Sequence, residues 1–230
     1  MSKLARIDTL GNFLTDVATA IRTKKGTTDT IPASNFDTEI ASIEGGSKYA
    51  PKYITFYNYQ GNDLTEETAN LDTSNITDMS NIFYGNKNLH YIDISAWNTS
   101  NVTNMQNAFY NCNTFNSNTT LDFSNWVTSK VTNMSSMFYS NISVVSLDLS
   151  SFITSEVTNV SAMFRNCTSL SRLDIRNFTF EKCTNTGNML YGVKTNCLII
   201  VKSQTEKDFI LNIRNDLTNV KTVAELETSE

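Results

Sequence analysis

The sequence predicts an α/β solenoid: a stack of similar short units, each giving one strand to a parallel sheet, with capping elements at both ends. Three observations carry this. One motif returns four times, as TSNITDMSNIFYGN from Thr73, TSNVTNMQNAFYNC from Thr99, TSKVTNMSSMFYSN from Thr128 and TSEVTNVSAMFRNC from Thr154. The anchors Met79, Met105, Met134 and Val160 recur at steps of 26, 29 and 26 residues, and Phe83, Phe109, Phe138, Phe164 and Leu190 keep the same step. Each copy then runs into an alternating apolar segment, such as Leu147-Asp148-Leu149 or Leu173-Asp174-Ile175. A fixed period in the twenties is the signature of stacked repeats, because one such unit cannot bury its apolar face alone.

Within each copy the apolar spacing divides into two walls. Leu89, Ile92, Ile94 and Trp97 form the first example of an L-x-x-L-x-L pattern; Leu121, Phe123 and Trp126 continue it. Val144, Leu147, Leu149 and Phe152, then Leu170, Leu173, Ile175 and Phe178, complete the set. The alternating part reads as a half-buried strand, one per repeat, stacked at ~4.8 Å. The other wall carries Val102, Met105, Ala108 and Phe109, or Val131, Met134, Met137 and Phe138. That i, i+3, i+6, i+7 spacing predicts a short helix or 3₁₀ turn facing inward. About five coils are expected. The second copy is three residues longer, with the surplus in Cys112–Thr120, so a loop should bulge there without breaking the stack.

These spacings are those of leucine-rich repeats, with an aromatic residue where many such repeats carry Asn. Ser146–Leu170, SLDLSSFITSEVTNVSAMFRNCTSL, resembles the BspA-type form found in bacterial surface proteins, Mycoplasma lipoproteins and tail proteins of phages of Gram-positive bacteria. The resemblance covers roughly 71 to 201. It implies an adhesive scaffold whose ligand varies from member to member.

The flanks read as separate units. Residues 1–46 hold two short amphipathic helices, the first on Ile7, Leu10, Leu14, Val17 and Ile21, the second after Pro32 on Phe36, Ile40 and Ile43. Gly45-Gly46-Ser47 is the hinge that follows. Two helices of this size bury too little surface to fold alone, so self-association, for instance as a trimer, or docking on a larger particle is expected. The stretch LTDVATAIRTKKGTTDTIPASNFDTEIASIEGG also resembles the N-terminal segment of tail and baseplate proteins of such phages, which implies attachment to other tail proteins. Residues 47–70 are a linker and N-terminal cap, with 52–59 alternating like an aromatic strand. The repeats occupy 71–202. The C-terminal cap is 203–230, with a strand at Cys197–Val201 before it, a helix at Glu206–Leu217 and a final strand at Val220–Leu226.

Composition limits the function classes. Net charge is −5, and Lys and Arg nowhere cluster beyond two in a row, so the electrostatic footprint for nucleic acid is missing. No run of 18 apolar residues appears, so no membrane insertion is expected. The N-terminus reads as lacking a secretory h-region and a lipoprotein cysteine, which suits a virion protein assembled in the host cytoplasm; the alternative is a bacterial cell-surface location. The four cysteines lack metal or redox spacing and read as small core residues of a reduced chain. No cofactor or metal is expected, and the only histidine, His90, rules out a triad or a multi-His metal site.

The outward column Asp93, Asp122, Asp148 and Asp174 is the main candidate for chemistry. Three readings stay open. The carboxylates could brace turns through nearby N–H and hydroxyl groups. They could bind sugar hydroxyls or a cation. They could act as paired carboxylates of a retaining glycosidase, although a regular column supplies no asymmetric acid and nucleophile. Tyr91, Arg172 and Arg176 break the repeat on the same face, so they join the candidate ligand-binding set; Arg172 and Arg176 also sit where either could pair with Asp174. The expected function is therefore non-enzymatic: a phage tail-tip, baseplate or tail-fibre protein that binds a host surface polysaccharide or protein through its repeats. The alternative is a bacterial surface adhesin or protein-binding module.

Overall fold

The computed structural model describes residues 54–69, 71–112 and 121–228. The expected attachment segment 1–46 and the loop at 113–120 lie outside the described residues. In the unit 52–230 the repeat copies lie in parallel register. On one wall stands a four-stranded parallel sheet of β1 (Ser146–Asp148), β2 (Arg172–Asp174), β3 (Leu198–Val201) and β4 (Val220–Thr222), in that spatial order. Leu147 pairs with Leu173 and Leu173 with Ile199, each one period on, and all three are buried.

The expectation of one strand in every copy is corrected. The chain passes Ile92–Ile94 and Leu121–Phe123 without forming a strand. At the first of these a short helix, α1 (Thr65–Ala69), occupies the neighbouring position, and the Thr68 hydroxyl takes the Asp93 N–H at 2.9 Å in place of a ladder carbonyl. Side-chain capping of this kind satisfies the Asp93 N–H without a strand partner.

The second wall differs too. Its apolar spacing predicts a short helix or 3₁₀ turn; among the described residues it is a run of tight turns, closed by i→i+3 bonds but broken by left-handed residues that no helix contains. Met79, Asn81, Phe83 and Gly85 each donate their N–H to the next copy, at 2.8–2.9 Å, onto the carbonyls of Asn104, Gln106, Ala108 and Tyr110. The intervening residues Ile82, Tyr84 and Asn86 donate three residues back within their own copy. Asn81 and Gly85 hold φ of 58° and 72°, the left-handed position that the third residue of a type II turn requires. Asn107, Asn111, Asn166, Asn188 and Gly192 occupy the same two positions in other copies. The Asn-rich composition thus has a backbone cause: Asn and Gly are the residues that tolerate this conformation. A helix would keep its N–H groups within one copy, whereas turns aim every second one at the neighbour.

Ser136, Ser140 and Ala162 sit at these positions with φ of 54°, 56° and 53° and have neither advantage. Ala162→Gly should therefore stabilise the protein by about 1 kcal/mol, the left-handed penalty of alanine less the extra chain entropy of glycine. A chemical melt of the two proteins reads this directly; a lower midpoint would show that the Ala162 methyl packs more than its backbone strains.

The longer second copy leaves the stack intact. Asn104 bridges Asn133 across 29 residues, just as Asn133 bridges Asn159 across 26. The segment expected as an aromatic cap strand is also corrected. Residues 54–59 form no strand; Phe56 and Asn58 donate to Ile82 and Tyr84 of the next copy, and Asn58 has φ of 51°. This is one more copy of the turn wall, with Phe56-Tyr57 one period before Phe83-Tyr84.

The core between the walls is aromatic. Phe56, Phe83, Phe109, Phe138 and Phe164 stack in a column with centroids 5.3–5.8 Å apart. Trp97, Trp126, Phe152 and Phe178 stack in a second, at 6.1–6.4 Å. Both indoles remain satisfied, Trp97 Nε1 donating to Thr68 O and Trp126 Nε1 to Ile94 O. The columns end where α2 (Gln204–Ile213) lays Phe209 on Phe180, at 4.1 Å, and buries Ile210.

The last expected strand is only three residues long, and α3 (Val223–Glu227) follows it. Thr222 and Glu225 form a reciprocal capping box that starts this helix. Glu225 also receives Lys207 Nζ at 2.6 Å, tying α3 to α2. The Lys207 bond first, then the Thr222 N–H, hold the Glu225 carboxyl down from 4.5 to about 2. A depressed folded-state value contributes stability above pH 4.5 that fades as pH falls toward 2. Native protein should lose melting temperature across that window, and Glu225→Gln should lose less of it. Parallel acid titrations that show identical losses would rule out this contact as a source.

Candidate functional site

The predicted acidic column is in register on the sheet wall. Asp148 pairs with Asp174 across β1 and β2, and Asp93 lies close enough to Asp122 for the two charges to repel. Each carboxylate closes a turn on the residue two positions ahead. Asp93 accepts from Ser95 N at 3.0 Å and from Ser95 Oγ at 2.6 Å. Asp122 accepts from Ser124 N and Asp148 from Ser150 N, both at 2.9 Å. The same device recurs at Asp63, Asp72 and Asp78, and at Asn104, Asn133 and Asn159. Short acidic and amide side chains next to a turn form it readily.

The bonds set the charge state. Ser95 holds the Asp93 carboxyl below its usual value, and Ser124 does the same for Asp122. At Asp148 burial pushes the other way, but the Ser150 bonds with Arg176 and Arg172 outweigh it and lower the carboxyl. Such groups are ionised acceptors at neutral pH and have no proton to donate.

Asp174 is different. Its side chain is 2% exposed and enclosed by two arginines. Arg176 donates from Nε at 2.9 Å and from Nη2 at 2.5 Å, and Arg172 Nη2 stands at 3.5 Å. Both arginines remain partly exposed, so the cluster shows cations outward over a covered carboxylate. The next position in the column, Ile200, is apolar and buried. Tyr91 is 55% exposed, bridged to Asp63 at the opposite end of the wall. The seven candidate residues thus share one wall, but Tyr91 and the arginine cluster stand at its two ends.

The Thr and Asn ladders are hydrogen-bonded from copy to copy. Thr103, Thr132, Thr158 and Thr184 each donate their hydroxyl to the copy before, at 3.2–3.3 Å. Buried Thr73, Thr99, Thr128 and Thr154 do more. Each hydroxyl donates to one carbonyl of the next copy and accepts the N–H of the same residue, as Thr128 does with Ile153 at 2.9 and 2.8 Å. The cysteines are free. Cys112 and Cys167 alternate with Asn141 at one repeat position, and all three donate to the carbonyl of the core Phe one copy back. Burial pushes the Cys167 thiol up to about 12 and Cys112 further still, so neither is a nucleophile. Among the described residues no group of His, Cys, Asp or Glu could hold a metal ion, and no helix is long and apolar enough to cross a membrane.

A second outward column stands on the turn wall, and the repeat spacing did not single it out. Tyr57, Tyr84, Tyr110 and Tyr139 stack face to face with centroids 5.1, 4.5 and 4.5 Å apart. Arg165 takes the next place. Its guanidinium lies 5.7 Å from the Tyr139 ring and 5.0 Å from the Tyr191 ring, sandwiched between them. The ring faces cover one another, so the column shows solvent its edges and hydroxyls. Burial, then the neighbouring Tyr139 and Tyr84, push the Tyr110 hydroxyl above its ordinary value, which keeps it a proton donor. The signal was in the sequence: a Tyr or Arg directly follows the buried anchor at Phe83, Phe109, Phe138, Phe164 and Leu190. Only the turn geometry shows that this neighbour points outward in every copy.

No curated protein and no solved structure matches the chain. One family model does, described as "Mycoplasma protein of unknown function, DUF285", and it matches twice, over residues 53–141 and 92–200. Together these matches span most of the region whose walls and columns are described above, and more than half of the sequence. The chain belongs to that family.

Proposed function

We propose that this chain is a non-enzymatic surface-binding protein: a tail-tip, baseplate or tail-fibre component of a phage of a Gram-positive host. In this reading the repeats form a leucine-rich-repeat solenoid of about five coils, of BspA type, that contacts cell-surface polysaccharide or protein. Residues 1–46 attach it to other tail proteins, or to further copies of itself. The observation that carries the binding role is the register of outward-facing side chains. Tyrosines, carboxylates and hydroxyls recur at one-strand spacing along the walls, a linear array suited to an extended partner. The ionised, turn-bound state of Asp93, Asp122 and Asp148 argues against a hydrolase, which needs one carboxyl kept protonated.

The family description favours a second reading, a bacterial surface adhesin or protein-binding module, since it names a Mycoplasma protein. Neighbouring tail, holin and lysin genes would support the first, and cell-wall anchoring genes the second. For binding itself, fluorescent full-length protein assembled on a multivalent carrier should label Gram-positive cells, while the uncoupled chain labels weakly, because several weak sites on one particle add avidity. Absence of labelling on a broad panel of such cells would reject the surface-binding role. Release of reducing sugar during incubation would instead point to an enzyme.

A further inference from the structure

The two walls differ in charge as well as in shape. The turn-wall stretches 79–87, 105–112, 134–142, 160–168 and 186–194 contain no Asp or Glu, although the whole chain has net charge −5. Their charged residues are Lys87, Arg165 and Lys194, all cations. Arg165 joins no ion pair among the described residues, and its buried Nε has no hydrogen-bond partner. The arginines of the sheet wall, by contrast, are spent on Asp174. Ring edges are the electropositive part of an aromatic side chain, and phenol hydroxyls donate hydrogen bonds. Edges, hydroxyls and a guanidinium that joins no ion pair among the described residues therefore line one column about 24 Å long, at ~4.8 Å per copy.

We infer that this Tyr57–Tyr191 column is a binding site for a linear anionic polysaccharide, with Arg165 as its charge anchor and the tyrosine hydroxyls as donors to the sugar units. The inference rests on the surface-binding reading and names the face and ligand class for it. Three alternatives fit the wall less well. An extended peptide would need free backbone groups, and here every second N–H is already bonded to the next copy. Nucleic acid needs open ring faces for base stacking and many cations, but these rings cover one another and three cations are spread along the wall. A neutral sugar stacked on a ring face finds such a face only at the ends of the column. What remains is an acceptor-rich chain carrying carboxylate or phosphate groups, matched by donors at a fixed interval and one bidentate cation.

Affinity electrophoresis of the full-length chain through gels holding polygalacturonate, poly(glycerol phosphate) or dextran tests this. Retardation by an anionic polymer and not by dextran is expected, weakening as salt rises. The carboxylate and phosphate gels tell the two anion sources apart. Arg165→Tyr continues the ring column without its charge, and Arg165→Gln removes both ring contact and charge. Each should weaken retardation about tenfold, the worth of one charge-assisted contact. Tyr110→Phe with Tyr139→Phe keeps the stacking and should also weaken it, at unchanged melting temperature. Asp122→Asn with Asp148→Asn should leave it intact. Equal retardation by dextran, no retardation by either anionic polymer, folded Arg165 variants that run like the native chain, or loss of retardation in the Asp variants would each overturn the assignment. Cells labelled equally by native and Arg165→Tyr protein would refute this site while leaving surface binding standing. Purified polymer bound without any cell labelled would do the reverse.

Discussion

Phe138→Ala should destabilise the protein by about 3–5 kcal/mol, and Tyr139→Ala, one residue on, by much less. Phe138 is fully buried, stacked between Phe109 at 5.5 Å and Phe164 at 5.8 Å, with the edge of Phe123 at 5.9 Å. Its removal leaves a cavity in the middle of a column, where neither neighbour can close the gap without leaving its own copy. Tyr139 stacks in the outward column instead, against Tyr110 on one side and Arg165 on the other. It loses those ring contacts but leaves no sealed void. Denaturant unfolding of the two variants measures the difference. Equal losses would mean that the buried and exposed columns have been assigned to the wrong sides.

Thr128→Val should cost about 1–3 kcal/mol, although valine has nearly the same shape. The Thr128 side chain is 1% exposed, and its hydroxyl bonds both the N–H and the carbonyl of Ile153. Valine would fill the space and leave both backbone groups without a protein partner. The control is Thr132→Val, where the exposed hydroxyl shares the Thr103 carbonyl with the Thr132 backbone N–H, so its loss should be small. Matching melting curves for the Thr128 and Thr132 variants would show that water replaces the bridging hydroxyl freely.

The sequence by itself determined the period, the register and the buried side of each repeat. Phe83, Phe109, Phe138 and Phe164 recur because one column must be filled at each step, and a buried column tolerates little change in size. The L-D-L alternation likewise fixed which residues of β1 and β2 face inward, since strand side chains alternate by geometry. It also placed the seven candidate residues on a common wall.

The tertiary structure alone decided the rest. The spacing of Val131, Met134, Met137 and Phe138 fits a helix as well as a run of turns. The choice falls to turns because the neighbouring copy supplies carbonyls for every second N–H, and no single repeat contains that neighbour. For the same reason 54–59 reads locally as a strand yet folds as a turn copy once Ile82 and Tyr84 lie beside it. The final strand expected over Val220–Leu226 stops at Thr222, because the capping box of Thr222 and Glu225 starts a helix there. The sequence already set Arg172 and Arg176 where either could pair with Asp174; the structure adds that both pair with it and that its carboxylate is buried. The recurrence of Tyr or Arg after each anchor was in the sequence, but its stacking into one outward column was not, for a related reason. Each Tyr sits beside an anchor in its own copy, and its stacking partners lie about 26 residues away. Which side chains meet across copies depends on the turn that aims them, and the backbone takes that turn only when the next copy is in place.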